Sequence, residues 1–236
     1  MELQKKCENF NEDMGPVAIT VYYTCYDTPM PAPVFSKLAA VLPENLRTAV
    51  YRYRRWEDAH AALLGKHLLR YSLLRRQLPY TLSDIEYTAN RRPFINGAPD
   101  FNITHSATAV AFAVAEKGRV GIDIEKPQLL PMDDFRQQFS GEEWRNICQD
   151  PAPPAIFYRY WTRKEAVLKA AGTGLNDALH LLNTTTDIVP YDQHTWQLHA
   201  LSILPPYICH LACSEINVAI SVHQLNISEL AADAML

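Results

Sequence analysis

The stretch Val120-Gly-Ile-Asp-Ile-Glu-Lys126 constrains this chain more than any other. Read as a strand, it puts Val120, Ile122 and Ile124 on one face and Asp123 and Glu125 on the other, over Gly121, which leaves room beside them. Two carboxylates side by side in a low-dielectric cleft repel each other and resist ionising unless a cation sits between them. A hard, oxygen-seeking divalent ion meets that need. An isolated Asp-x-Glu is more often the solvated side of an edge strand, so the flanking sequence has to decide.

The 236 residues suit one large domain or two small ones, with enough chain to bury a core. At 48% hydrophobic and 20% charged residues, disorder is excluded as a general state. The net charge of -4 gives no general attraction to nucleic acid. Between Arg47 and Arg92, however, ten Lys or Arg face four Asp or Glu, a local +6 that an acidic or phosphorylated partner would use. A long solvated helix face accounts for about half of those charges. The five cysteines (Cys7, Cys25, Cys148, Cys209 and Cys213) are odd in number and lack Cys-x-x-Cys spacing. With no signal peptide pattern they read as reduced thiols and predict a cytoplasmic protein. The apolar run Ala109–Ala115 is too short to cross a bilayer, so no membrane partner is expected.

In chain order, residues 1–15 are a polar lead-in, and Val17–Tyr23 is a β-branched and aromatic strand. Prolines 29, 31 and 33 enforce a loop before a short helix at Val34–Val41. From Asn45 a helical pattern runs to about Gln77, kinked near Arg54, with Ala59, Leu63, Leu64, Leu68, Leu69 and Leu73 facing the core. His60 reads as a packing histidine rather than a ligand. Short strands follow at Ile85–Thr88 and Phe101–Thr104, and Thr108–Ala115 with Arg119–Glu125 predicts a hairpin around Glu116-Lys117-Gly118. Ser140-Gly-Glu-Glu143 is a capping-box signature, and Ala155–Ala171 a helix stopped by Gly172-Thr173-Gly174. Trp196–Leu204, Ile208–Cys213 and Asn217–Val222 alternate as antiparallel strands.

Several side chains in this frame suit phosphate or metal chemistry. Arg91-Arg92-Pro93 combines two charges with a backbone held rigid by proline. His105-Ser106 at a strand end offers two hydrogen-bonding groups for phosphate; a nucleophilic serine is the rival, weakened by the missing Gly-x-Ser-x-Gly elbow. On the 155–171 helix, Tyr158, Trp161, Glu165, Leu168 and Lys169 share one stripe. Glu165, central in it, needs a positive partner: either Lys169 one turn on, or a cation shared with Asp123 and Glu125.

The ordered set Arg91-Arg92-Pro93-Phe94, Phe101-Asn-Ile-Thr-His-Ser106, Gly121-Ile-Asp-Ile-Glu125 and Trp161-Thr-Arg-Lys-Glu-Ala-Val-Leu-Lys169 resembles the Sfp-type 4'-phosphopantetheinyl transferases. Gly172-Thr-Gly-Leu175 and Glu57-Asp-Ala-His60 with Leu63-Leu-Gly65 add to the likeness, which covers about residues 16 to 223. It implies an α+β fold of two similar halves, 16–107 and 108–223, related by a pseudo-twofold axis, with 1–15 as lead-in and 224–236 as tail. It further implies transfer of the 4'-phosphopantetheine group from coenzyme A to a serine of an apo acyl or peptidyl carrier protein, releasing adenosine 3',5'-bisphosphate. Asp123, Glu125 and Glu165 would hold Mg²⁺, with Mn²⁺ as the alternative, and Asp123, Glu165 and Lys169 would be catalytic, Glu165 taking the serine proton directly or through water. Lys169 and Lys164 would contact the phosphates. His105, Ser106, Arg92 and Pro93, with Arg52 as the weaker candidate, would hold the nucleotide end.

This sequence departs from the family where Arg91 and Arg92 replace the usual glycine and lysine, Thr104 a common serine and Ala107 a common glycine. The segment around Leu46 and Ala49 also lacks basic residues common there. Two similar halves in one chain predict a monomer. Two other readings share some of these features: a metal-dependent nuclease, and a non-catalytic relative that docks a carrier through the Arg47–Arg76 region.

Overall fold

The computed structural model describes residues 15–174 and 179–233, so all but the last residue of the 1–15 lead-in, with Cys7, and Leu175 lie outside the described residues. In order, the elements are β1 (Val17–Cys25), α1 (Ala32–Ala40), α2 (Glu44–Tyr51), α3 (Trp56–Arg75), β2 (Glu86–Tyr87), β3 (Pro93–Phe94), β4 (Asp100–Ser106), β5 (Ala109–Ala115) and β6 (Val120–Glu125). They continue with α4 (Gly141–Gln149), α5 (Pro153–Ala171), β7 (Ile188–Tyr191), β8 (His194–Leu201), β9 (Ile208–Cys213), β10 (Val218–Gln224) and α6 (Ile227–Asp233). The fold is α+β, as expected. Two four-stranded sheets, ordered β10-β1-β5-β4 and β6-β9-β8-β7, form its centre.

Side-chain size along β5 explains how the sheets stack. Val110, Phe112 and Val114 pack with the leucines of α3, while Ala109, Ala111, Ala113 and Ala115 pack against Val120, Ile122 and Ile124 of β6 and Leu211 of β9. Small alanines let the two sheets approach face to face, and the larger side chains fill the space under the helix. On the far side α5 covers the second sheet through Ala166, Val167, Leu168 and Ala170 against Trp196, Leu198 and Ala212. The layers therefore run α3, first sheet, second sheet, α5. Each sheet also repeats one path: a strand, a long helix, then two antiparallel strands of which the last lies in the middle.

Three expectations are corrected, and the tail gains an element. The 108–115 and 119–125 segments do not form a hairpin: β5 pairs with β1 and β4, while β6 pairs with β9. Both faces of β5 are buried, and an uninterrupted apolar run fits any doubly covered strand. β10 is not antiparallel to its neighbour but crosses back to pair parallel with β1, closing the first sheet with C-terminal chain. The 45–77 helix is two helices with a break at residues 52–55, close to the expected kink. The tail contains α6, whose Leu230 is buried in the cluster with Leu38 and Leu63.

Local signals held where capping chemistry is self-contained. The Ser140–Glu143 capping box forms at the start of α4. α5 begins on prolines and ends at Gly172, whose φ of 76° and amide bond to the Leu168 carbonyl stop the helix. His60 is buried and accepts the Met30 N–H at 2.8 Å, confirming it as a packing residue. Among the described residues no helix is long and apolar enough to cross a membrane.

Candidate active site

The site lies where β4, the edge of the first sheet, meets β6, the edge of the second. Alternation turns Asp100, Asn102, Thr104 and Ser106 of β4 toward β6, and each finds a partner there. Asp100 accepts the Val120 N–H at 2.8 Å and Asn102 the Ile122 N–H at 3.0 Å. The Thr104 hydroxyl donates to Asp123 Oδ1 at 3.2 Å. Ser106 donates to Glu125 Oε2 at 2.6 Å and accepts the Lys126 N–H at 3.1 Å. Asp123 and Glu125 thus stand on the inner polar face of their strand, not on a solvated edge.

Helix α5 closes the site from the side. It comes near because residue 121 is glycine: a Cβ there would strike the Ala166 carbonyl and the Ala170 amide. Gly121 therefore leaves no room for a ligand, contrary to expectation; it gives its space to the helix backbone. That approach brings Glu165 and Lys169 to Asp123. Lys169 Nζ donates to Asp123 Oδ1 at 2.5 Å and to Thr104 Oγ1 at 3.0 Å, so its bonded partner is Asp123 rather than Glu165.

Three carboxylates and one ammonium share this seam, and their protonation follows. Burial raises Asp123, with the Lys169 ammonium pulling it back. Burial also raises Glu125, and Asp123 adds to the rise while the Ser106 hydroxyl opposes it. Glu165 is pushed up to about 7 by burial first and by the Asp123 charge second. For Lys169 burial lowers, but Asp123, Glu165 and Glu125 together outweigh it and keep the amine protonated. One lysine cannot balance three carboxylates, so the site favours either a proton on Glu165 or a further cation.

The donor set fits a hard divalent cation. Asp123 Oδ2 and Glu165 Oε1 are buried oxygens with no hydrogen-bond partner, and an oxygen-preferring cation is one group that satisfies both. Among the described residues no group of three His, Cys, Asp or Glu side chains is already gathered as a metal cluster.

The other predicted residues divide. Arg92, Pro93, Glu165 and Lys169 line a cavity of about 200 Å³ with Asn90, Arg91 and Asn102. Within it Arg92 is 7% exposed and turned inward, bonded to Asp100 at 2.8 and 2.7 Å, the Val120 carbonyl at 3.0 Å and the Lys169 carbonyl at 2.9 Å. His105 and Ser106 do not share a face. His105 points away from β6, and crowding by its neighbours together with the Lys169 charge lowers its pKa, favouring neutral imidazole. Arg52 is exposed at the end of α2.

Lys164 is not at the site. Its side chain is fully buried against Glu143 at 2.8 Å, with the Leu179 and Leu182 carbonyls as further acceptors. It faces α4 and cannot reach a ligand lying on Glu165's side. Nor does the +6 segment form one free face, since Arg76 bonds Thr20 at 2.9 Å and Arg92 is internal. The residues missed from sequence are Asp100 and Asn102. Their signal was present, a polar residue at every second position from 100 to 106 beside apolar Phe101 and Ile103.

Comparison with known proteins identifies the family. The family model for the 4'-phosphopantetheinyl transferase superfamily matches residues 119–216, which contain Asp123, Glu125, Glu165 and Lys169. The chain is 30% identical over 162 residues to the 4'-phosphopantetheinyl transferase Sfp of Bacillus subtilis, spanning 66% of this chain and 71% of that protein. It is 32% identical over 136 residues to the L-aminoadipate-semialdehyde dehydrogenase-phosphopantetheinyl transferase of Xenopus laevis, 50% of this chain and 45% of that one. A longer match, 28% identical over 205 residues, covers 84% of this chain and 85% of the 4'-phosphopantetheinyl transferase gsp of Aneurinibacillus migulanus.

Proposed function

We infer that this chain, which belongs to the 4'-phosphopantetheinyl transferase superfamily, moves the phosphopantetheine arm of coenzyme A onto a carrier protein at the seam of β4, β6 and α5. The supporting observation is the convergence of Asp123, Glu125, Glu165 and Lys169, from two strand positions and one helix, beside a cavity lined by Arg91, Pro93 and Asn102.

In the reaction proposed, a serine hydroxyl of the apo acyl or peptidyl carrier attacks the phosphorus bearing the pantetheine arm. A new serine O–P bond forms, the P–O bond to the nucleotide breaks, and adenosine 3',5'-bisphosphate leaves with the electron pair. Glu165, whose carboxylate burial and the Asp123 charge make more basic in the metal-free chain, is the group proposed to accept the serine proton, directly or through one water. Lys169 presents an ammonium to the phosphate oxygens and holds Asp123. Asp123, Glu125 and Glu165 would hold Mg²⁺, or Mn²⁺ in its place, which would supply charge neutralisation at the pyrophosphate. His105, Pro93 and Arg52 remain assigned to the nucleotide end, whereas Ser106, bonded to Glu125, is proposed to orient that carboxylate.

Two halves related by a pseudo-twofold axis belong to the same reading, supported by the repeated path of the two sheets. In this reading the divide is placed between Ala115 and Val120, so that β5 stays with β1 and β4, its partners. A cytoplasmic monomer is likewise proposed. The direct test of the base is Glu165→Gln: loss of turnover is expected, and full turnover in that variant would remove Glu165 from the chemistry.

A further inference from the structure

At the site the two sheets are joined by side chains rather than by a backbone ladder, and one end of that seam is anchored by a buried guanidinium. Asp100 and Asn102 hold the Val120 and Ile122 amides. A one-residue slip of β6 would turn Asp123 and Glu125 into the apolar layer between the sheets. Arg92 fixes Asp100 with a two-pronged contact and, with the same group, holds the Val120 carbonyl and the carbonyl of Lys169. One side chain thus ties β4, the first residue of β6 and the last turn of α5.

We propose that Arg92, Asp100 and Asn102 are positioning residues: they set the register of β6 against β4 and the placement of Lys169, and so the spacing of Asp123, Glu125 and Lys169. The inference rests on the transferase reading and gives Arg92 a brace's role in place of a phosphate contact. Four of its donor contacts are already spent on protein acceptors, and it is 7% exposed. A brace acts through the placement of Lys169 and so shows in kcat, whereas a phosphate contact shows in the KM for coenzyme A.

Steady-state transfer by Arg92→Lys, Asp100→Asn and the double variant separates these roles, with each variant's folded state verified at the assay temperature. Arg92→Lys is expected to lower kcat at least about tenfold with the KM for coenzyme A held within about threefold, as for misplaced catalytic groups. Asp100→Asn should match that loss, and the double variant should be no worse than the poorer single one, because the two side chains act as a unit. Retained kcat in both single variants, or an effect confined to the KM for coenzyme A, would overturn the proposal.

If those variants fail to fold, Asn102→Asp keeps an acceptor for the Ile122 N–H and Asn102→Leu removes it. The Asp variant should recover most of the kcat that the Leu variant loses, and equal kcat in both would overturn the inference. A wild-type chain inactive on every carrier would count against the transferase reading instead. The brace is then read by amide exchange: in Asp100→Asn the β6 peptide should exchange at least about tenfold faster, and unchanged exchange would overturn it.

Discussion

Glu165 carries a cost in the free protein that its removal should relieve. Its pKa rises from the usual 4.5 to about 7 because burial and Asp123 disfavour its charged form. At about 1.4 kcal/mol per pH unit that corresponds to about 3 kcal/mol. Well below pH 4.5 the group is protonated in both folded and unfolded chains and contributes nothing. Between 4.5 and 7 the folded chain holds a proton that the unfolded chain has released, so stability falls as pH rises; above 7 the full penalty persists. Glu165→Gln keeps the shape and removes the charge. In the presence of EDTA it should therefore exceed wild type by up to about 3 kcal/mol at pH 8 and by less than about 0.5 kcal/mol at pH 4. Urea unfolding at both pH values, analysed by linear extrapolation, measures this difference. Replacing EDTA with millimolar Mg²⁺ at pH 8 should narrow the gap, because a ligand that binds only the folded chain stabilises it by mass action. A Gln variant no more stable at pH 8, or equally stabilised at both pH values, would refute the reasoning.

Other expected outcomes follow from the surroundings of the site. Lys164→Met takes the ammonium from the fully buried Glu143, leaving it the Ser140 N–H and the Thr184 N–H and hydroxyl, and should cost about 3–5 kcal/mol in urea titration, with partial recovery on adding Glu143→Gln. An unchanged midpoint with a raised KM for coenzyme A would return Lys164 to the ligand. Gly121→Ala puts a methyl group into the backbone of Ala166 and Ala170; helix α5 must shift, costing at least about 1–3 kcal/mol together with transfer activity. An unaltered urea midpoint would show that α5 does not approach so closely. Ser140→Ala removes the hydroxyl that accepts the Glu143 N–H and should lower stability by about 1 kcal/mol without changing kcat; a kcat loss at full stability would contradict a purely capping role.

How far the sequence foretold this arrangement depended on the range of the interaction. Period-2 alternation placed Asp123 and Glu125 on one face of β6, and helical spacing put Glu165 and Lys169 on one stripe of α5, because both follow from local geometry. The capping box at Ser140 and the stop at Gly172 were legible for the same reason. Pairing partners were not. The run Ala109–Ala115 is apolar at every position, and nothing within it says that its alanines meet the second sheet while its larger residues meet α3. Direction in space also misled. Lys164 looked like a ligand beside Glu165, yet one residue on a helix is a turn of about 100°, and Glu143, distant in sequence, neutralises it on another side. Arg92 keeps a charge where the family has lysine, and its two-pronged contact with Asp100 is a pairing that no local pattern signalled. The resemblance supplied what local patterns could not, the link from Glu165 on α5 to Asp123 and Glu125 on β6, whose charges both raise its pKa.

The central claim is that this seam transfers phosphopantetheine with a divalent cation. Mass spectrometry of a panel of apo acyl and peptidyl carriers, incubated with coenzyme A and the purified chain, tests it directly. Wild type with Mg²⁺ should add one phosphopantetheine to a carrier serine, and both EDTA and Asp123→Ala should abolish the addition. No modification of any carrier, or modification that survives Asp123→Ala, would contradict the account.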